Sequence, residues 1–237
     1  MSTGGRSLKQ TVLKLLEADD FDASLHVICR LPPRKVINPL FSFLVHKDER
    51  LRWRAITAMG AVVDNLARQD MESARVIMRR LMWSLNEESG GIGWGAPEAM
   101  GEIMARHEGL AREYSHILIS YMDYEGNFLE YEGLQRGLLW GLVRLARVSP
   151  QMLAKADSHL DKYLESGDAT TKGLAAWAAG LLRVEKARPK LQLLLTDNSR
   201  VRLYIDNNFT DLGVCDLAEK ALALLERGSG NHSQRVG

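Results

Sequence analysis

Residues 52–63, RWRAITAMGAVV, are the first copy of a repeated helical segment that determines the fold of this chain. Three further copies follow: GWGAPEAMGEIM (93–104), LQRGLLWGLVRL (134–145) and KGLAAWAAGLLR (172–183). A glycine stands in register in each copy, with steps of 41, 40 and 39 residues between Gly60, Gly101, Gly141 and Gly180. A fifth copy, CDLAEKALALLE (215–226), places Ala223 at the aligned position. Such a period is typical of arrays in which each helical repeat packs on its neighbours.

The aligned glycines predict that neighbouring helices approach each other closely. Glycine inside a helix costs about 1 kcal/mol relative to alanine, so its recurrence needs a structural reason. A missing side chain lets the helix of the next repeat pack nearer. Small residues five positions earlier fit the same contact, and they are Ala55, Ala96, Ala175 and Ala218.

A second amphipathic stretch precedes each copy, so every repeat is predicted to be a pair of helices. The predicted pairs are 34–46 with 51–68, 72–86 with 96–107, 112–122 with 129–147, 150–165 with 170–183, and 187–195 with 214–227. Residues 1–33 are predicted to be an N-terminal cap with helices at about 6–18 and 21–31, because terminal repeats must close the core against water. The sequence thus predicts one repeat domain, 1–227, whose parts after the cap are repeats (34–198), an insertion (199–214) and a last helix (215–227). Residues 228–237 are predicted to be a disordered tail.

The insertion, SRVRLYIDNNFTDLGV (199–214), is predicted to be a β-hairpin. Apolar residues alternate with polar ones along its first half, and a second short run follows Asn207-Asn208, which is a hairpin signal. The ribbon either shields the last helices from solvent or docks a partner, and the sequence leaves both roles open.

The period near 40, the paired helices and the pattern Arg-Ala-x-x-Ala-Met-Gly at 54–60 resemble HEAT repeats, in particular the short bacterial variety often labelled phycobilisome-lyase-like. The resemblance covers residues about 34 to 227. It implies an all-α fold, an α-α superhelix or HEAT-like solenoid of about five helical hairpins, here with a small C-terminal β-hairpin insertion. It also implies that the second helix of each pair lines a concave face where ligands usually bind. The family holds scaffolds, adaptors and a few enzymes, so the resemblance is specific for fold rather than for function.

The concave face implied by this resemblance is the first place to look for an interface. Aromatic and arginine side chains are favoured anchors at protein interfaces, and tryptophan at helical spacing is also common in cores. The candidate binding residues are Trp53, Arg54, Trp94, Glu98, Glu102, Tyr131, Glu132, Arg136 and Trp140. We expect a non-catalytic binding or scaffold module that recognises a protein partner through this face. Assembly with a second copy of the chain remains an alternative.

The connection inside the second repeat, NEESGGIGWGAPEAMGE (86–102), offers a competing function. Flexible backbone amides at a helix N-terminus can hold an anion, and the candidates are Gly91, Gly93 and Gly95. The loop matches neither the phosphate-binding nor the dinucleotide-binding fingerprint, and nearby glutamates would oppose a phosphate. The alternative is a small-ligand-binding or lyase-type enzyme that uses Gly90–Gly95 together with the acidic pair Glu98 and Glu102.

Composition limits the partners. The 237 residues carry 31 basic and 30 acidic side chains, a formal charge of +1, so the chain has no general attraction to nucleic acid or anionic membranes. A HEAT-like nucleic-acid-binding protein is therefore a less favoured alternative. No apolar run has the length of a membrane span, and the N-terminal MSTGGRSLKQ lacks the apolar core of a signal peptide. With Cys29 and Cys215 expected to be reduced thiols, we expect a cytoplasmic protein.

No catalytic constellation stands out. His107-Glu108 is a single His-Glu pair at a helix end, and Cys215 has no histidine close in sequence. Accordingly, we predict no catalytic residues, no metal ligands and no cofactor, and a non-enzyme is favoured while an enzyme remains open.

Overall fold

Two compact units, 1–114 and 115–237, make up the chain in the computed structural model. The structure describes residues 3–86 and 93–230. None of the helices within these ranges is long and apolar enough to cross a membrane. The prediction of a single domain over 1–227 stays a prediction.

The first unit consists of successive helical hairpins. Its helices are α1 (Thr3–Glu17), α2 (Phe21–Arg30), α3 (Pro33–Leu44), α4 (Glu49–Gln69), α5 (Met71–Leu85), α6 (Ala96–Arg106) and the start of α7 (Glu108–Ser120). The pairs α3 with α4 and α5 with α6 pack as hairpins, and the second helices α4 and α6 pack side by side. Aspartates cap three of the helices by accepting backbone N–H groups, and they are Asp20, Asp48 and Asp70.

The second unit continues the same alternation. Its elements are the end of α7, then α8 (Glu132–Ala146), a 3₁₀ helix (Pro150–Ser158), α9 (Leu160–Leu164), α10 (Ala169–Leu181), a 3₁₀ turn (Glu185–Ala187), α11 (Arg188–Leu194), β1 (Arg200–Ile205), β2 (Asn208–Gly213) and α12 (Val214–Gly230). The second helices α8, α10 and α12 pack in series. Within each unit, therefore, the glycine-bearing helices are neighbours.

Two of the aligned glycines confirm the predicted close approach. A Cβ at Gly60 would lie 2.5 Å from Cγ of Glu102, and a Cβ at Gly180 would lie 2.4 Å from Cα of Ala221. The small residue that Gly180 meets in the last repeat is thus Ala221, two positions before Ala223. Ala223 itself is half-buried. The earlier alanines at the contact are almost fully buried: Ala55, Ala96, Ala175 and Ala218.

The C-terminal insertion is the two-stranded antiparallel hairpin that the sequence predicts, with Ile205 opposite Asn208. Its two-residue turn is Asp206-Asn207, with φ of 48° and 66°, one residue earlier than the Asn-Asn pair suggested. Positive φ at both central residues is the type I′ geometry, and Asp and Asn tolerate it. Trp140 Nε1 on α8 donates to the carbonyl of Tyr204 at 2.8 Å, which ties the hairpin to the helices.

Two segments differ from the predicted helices. Residues 150–165 form a 3₁₀ helix with non-helical backbone at Leu153, followed by the short α9. Leu153 and Ala156 are both fully buried, and the three-residue spacing puts them on one side of a helix with three residues per turn. At the other end, α12 runs to Gly230, into the segment predicted to be a tail, and 231–237 lie outside the described residues.

Candidate functional site

One group of candidate residues lies where α4 and α6 begin, and we call Arg52, Trp53, Trp94 and Glu98 the Trp94 cluster. Asp48 starts α4 by accepting the N–H of Leu51 at 3.0 Å, so Arg52 and Trp53 follow in its first turns. Trp94 precedes α6 and is 38% exposed, whereas Trp53 is half-buried. The cluster therefore combines an accessible indole with charged groups of opposite sign.

Gly95 sets the direction of α6 at this cluster. Its φ is 76°, and a Cβ would lie 2.8 Å from the carbonyl oxygen of Leu44 at the end of α3. Both facts require glycine, because residues with a side chain rarely adopt this backbone conformation and the Leu44 carbonyl already fills the space that a Cβ would need. Gly93 is buried and its carbonyl accepts the N–H of Ala96 at 3.1 Å. These two glycines shape the turn into α6, and Gly91 lies outside the described residues.

Glu98 puts a carboxyl group at the N-terminal end of α6. The residue is half-buried as a whole, but its Oε2 is enclosed and has no hydrogen-bond partner among the described residues. Burial raises the pKa of Glu98 to about 7, against the opposing effects of its own backbone N–H and of the Arg52 charge. Near neutral pH the Glu98 carboxyl group is therefore charged in some molecules and neutral in others.

Arg54 and Glu102 occupy internal positions in the first unit. The Arg54 guanidinium donates to the carbonyls of Leu16 at 2.8 Å and Ala18 at 2.7 Å, where it caps the end of α1. Glu102 is only 3% exposed and accepts from Nε of Arg106 at 2.5 Å, in the space left by Gly60. The contacts of these two side chains are thus made inside the unit.

In the second unit the candidates form a separate group, the Arg136 cluster of Tyr131, Glu132, Arg136 and Asp168. Arg136 donates to both oxygens of Asp168 at 2.9 Å and to Glu132 at 3.0 Å. Asp168 also caps α10 by accepting the N–H of Thr171 at 2.8 Å. Tyr131 is 55% exposed, whereas Trp140 is 7% exposed and belongs to the core.

Sequence reasoning missed Asp168 and the surroundings of Lys162. An Asp-x-x-Thr cap signal marks Asp168, but its pairing with Arg136 joins residues 32 apart and leaves no local trace. The Lys162 ammonium lies 3.6 Å from the Tyr124 ring centroid and 4.3 Å from that of Phe128, and burial lowers its pKa. Among the described residues no group of three or more His, Cys, Asp or Glu side chains is placed to hold a metal ion.

Comparison with known proteins places the fold of this chain among repeat proteins. No protein-family profile matches the chain. An uncharacterised protein of Archaeoglobus fulgidus is 29% identical over 153 residues, which cover 64% of this chain and 75% of that protein. A designed armadillo repeat protein in complex with the peptide (KR)4 superposes with a TM-score of 0.54 at 18% identity, over 92% of this chain and 99% of that one. A mutant of Kap121p gives a TM-score of 0.59 at 16% identity, over 98% of this chain and 26% of that one.

The fold is that of an armadillo or HEAT repeat solenoid. An engineered protein solved by a structural genomics consortium agrees, with a TM-score of 0.55 at 17% identity over 94% of this chain and 97% of that one. The predicted fold class, an all-α repeat solenoid with a small C-terminal β-hairpin, is therefore confirmed.

The enclosed carboxyl group of Glu98 predicts a pH-dependent stability. Its folded pKa of about 7 lies above the ordinary value of 4.5, so the folded state holds the proton more tightly than the unfolded state does. The contribution of this protonated carboxyl group to the free energy of unfolding is fully present below about pH 4 and is lost as pH rises toward 7. We expect wild type to lose about 1–2 kcal/mol of unfolding free energy from pH 5 to pH 7.5 relative to Glu98→Gln.

Chemical denaturation of both proteins at the two pH values measures this difference. Glu130→Gln, at an exposed residue, is the control and should follow wild type. Parallel pH profiles for wild type and Glu98→Gln would show that the Glu98 carboxyl group is not the one that titrates.

Proposed function

We propose that this chain is a non-catalytic binding module that recognises a protein partner through second-helix residues of its first unit. The observation that carries the proposal is the 38% exposed indole of Trp94, which directly precedes α6, the helix that carries Glu98. Tryptophan and arginine are the side chains most enriched at the energetic centres of protein interfaces. The HEAT resemblance puts these second helices on the concave face.

The backbone contacts that define the starts of α4 and α6 support this proposal. Gly95 fixes the entry into α6 against Leu44, and Asp48 fixes the start of α4. Side chains on fixed helix ends lose little conformational entropy when a partner binds, which leaves more of the contact energy for affinity. An extended segment of a partner, with a group that accepts or donates hydrogen bonds next to Trp94, fits such a surface.

The designed armadillo repeat protein is in complex with the peptide (KR)4, which supports a peptide segment as the partner of this chain. The finer assignments rest on sequence alone. Membership of the bacterial phycobilisome-lyase-like group and a single domain over 1–227 remain proposals from the repeat pattern, and a cytoplasmic location remains a proposal from the cysteines and the N-terminal sequence.

Capture from native lysate tests the proposal. We expect immobilised wild type to retain a protein that Trp94→Ala loses, because the substitution removes the indole from the centre of the interface. Trp83→Ala is the matched control, since Trp83 lies on the first helix α5 of the same unit and is 66% exposed. The captured protein, once purified, should bind wild type and Trp83→Ala equally and Trp94→Ala at least about 30-fold more weakly, as expected for an interface hot spot.

Thermal unfolding of the three proteins separates loss of binding from loss of structure. The proposal requires Trp94→Ala to unfold within a few degrees of wild type. Equal retention by all three proteins would place the interface elsewhere, and a large fall in the melting temperature of Trp94→Ala would make Trp94 a packing residue.

A further inference from the structure

A groove of about 640 Å³ lies between α1 and α3 in the first unit, outside the Trp94 cluster. One wall is the face of α1 that carries Gly5, Leu8 and Lys9, and the other is the face of α3 that lies opposite. The residues of α3 along it are Arg34, Lys35, Asn38, Pro39 and Ser42. From 34 to 42 this wall extends for about 12 Å at the rise of an α-helix, which matches two helical turns of a bound segment.

The helices that form the groove are strongly basic. On α1 stand Arg6, Lys9 and Lys14 against a single carboxylate, Glu17, and on α3 stand Arg34 and Lys35 with no carboxylate at all. This excess is local, because the whole chain has a formal charge of only +1. Gly5 lies in the first turn of α1, where unpaired N–H groups and the helix dipole add further positive potential.

The other grooves between successive first helices of this unit are bridged by side chains. Arg80 on α5 donates to Oδ1 of Asn38 at 3.0 Å, and its guanidinium lies 4.2 Å from the Phe41 ring centroid. Between α5 and α7, Arg75 donates to both oxygens of Glu113 at 2.8 Å and 2.6 Å. First-helix grooves in this unit are thus ordinarily closed by an arginine and its acceptor.

The α1/α3 groove lacks such a bridge within the described part of the first unit. Arg34 pairs with Asp70, which lies between α4 and α5 and not on α1. Lys9 rests its ammonium 5.5 Å from the Phe43 ring centroid, and neither Lys9 nor Lys35 has a carboxylate partner among residues 5–86 and 93–114. Two cations therefore flank a floor made by half-buried Leu8 and buried Pro39.

We propose that the α1/α3 groove docks a short acidic, amphipathic segment of a partner protein. Apolar side chains of the segment would cover Leu8 and Pro39, and its carboxylates would pair with Lys9 and Lys35 as Glu113 pairs with Arg75. The residues that line the groove include no aromatic ring on which a base could stack, so the geometry favours a peptide over a single-stranded nucleic acid.

Fluorescence anisotropy with a defined probe tests this surface. The probe is a short fluorescein-labelled peptide with leucines three and four positions apart, so that they share one face of a helix, and glutamates at the positions between them. A second probe has glutamine in place of every glutamate. We expect the glutamate peptide to bind the full chain at low ionic strength and to weaken as salt screens the pairing. Lys9→Glu/Lys35→Glu should weaken it by at least about tenfold, because like charges then face each other.

A matched control separates the groove from net charge. Lys155→Glu/Lys220→Glu makes the same change in formal charge at two exposed lysines of the second unit, and it should bind the peptide as wild type does. Ser42→Trp fills the groove without changing its charge, and we expect it to abolish binding of the glutamate peptide. Circular dichroism verifies that each variant is folded.

The proposal is overturned by equal losses in the two double variants, by equal binding of the glutamine peptide, or by unchanged binding to Ser42→Trp. Preference for a single-stranded RNA probe of the same length over the glutamate peptide would also overturn it. These outcomes are independent of the Trp94 cluster, because Trp94→Ala should leave peptide binding in the α1/α3 groove unchanged.

Discussion

Gly180→Ala is expected to lower the unfolding free energy by about 2 kcal/mol and the melting temperature by about 4–8 °C. The new Cβ would lie 2.4 Å from Cα and 2.8 Å from Cβ of Ala221. The first of these atoms is backbone, so α10 and α12 must move apart along their contact. Overpacking of this kind costs more than the roughly 1 kcal/mol that alanine gains over glycine inside a helix. Chemical and thermal denaturation measure the balance.

Two other glycines serve as comparisons for Gly180. Gly167→Ala meets no atom within 4 Å in the same unit, and we expect it to be neutral or slightly stabilising. The nearest neighbours of the Cβ in Gly60→Ala are side-chain atoms of Glu102 and Arg106 rather than backbone, so we expect a smaller loss than that of Gly180→Ala. A Gly180→Ala protein as stable as Gly167→Ala would contradict the close approach that explains the repeated glycines.

The repeat array could be predicted from sequence because its determinants are local and periodic. The glycine spacing identifies the second helices, and amphipathic stretches before each copy identify the first helices. Alternation along 199–214 was sufficient to predict the hairpin, although the turn lies at Asp206-Asn207. The segment 150–165 was less predictable, because the burial of Leu153 and Ala156 favours a 3₁₀ helix that no sequence pattern distinguishes from an α-helix.

The candidate site was less predictable, because contacts between residues distant in sequence decide which candidates are buried and which are exposed. Trp140 reads as an interface aromatic, but its N–H donates to a carbonyl 64 residues away. Glu102 reads as half of an exposed acidic pair, but Gly60 makes room for it in the interior. Residue type and helical position cannot reveal these partners, and they do not distinguish such buried side chains from Trp94 and Tyr131, which are 38% and 55% exposed.

Substitution of Arg54 tests whether a candidate residue belongs to the interior or to the interface, and it has the largest expected effect. Arg54→Met keeps most of the side-chain volume but removes the donors that satisfy the carbonyls of Leu16 and Ala18, 38 and 36 residues away. It also removes the guanidinium from its place 4.8 Å from the Phe21 ring centroid. Hydrogen bonds to charged groups contribute about 1.5–3 kcal/mol each, so we expect unfolding free energy to fall by about 3 kcal/mol, as measured by chemical denaturation.

Arg50→Met is the matched control, because Arg50 lies one turn earlier on α4 and is exposed. Loss of surface charge alone would affect both variants equally, and we expect Arg50→Met to unfold within about 0.5 kcal/mol of wild type. Hydrogen exchange adds a local readout, since amides of α1 and α2 should lose protection in Arg54→Met before those of α5 and α6. If Arg54→Met instead matched Arg50→Met in stability and lost only partner binding, Arg54 would belong to the interface with Trp94, and its two carbonyl contacts would contribute little to the fold.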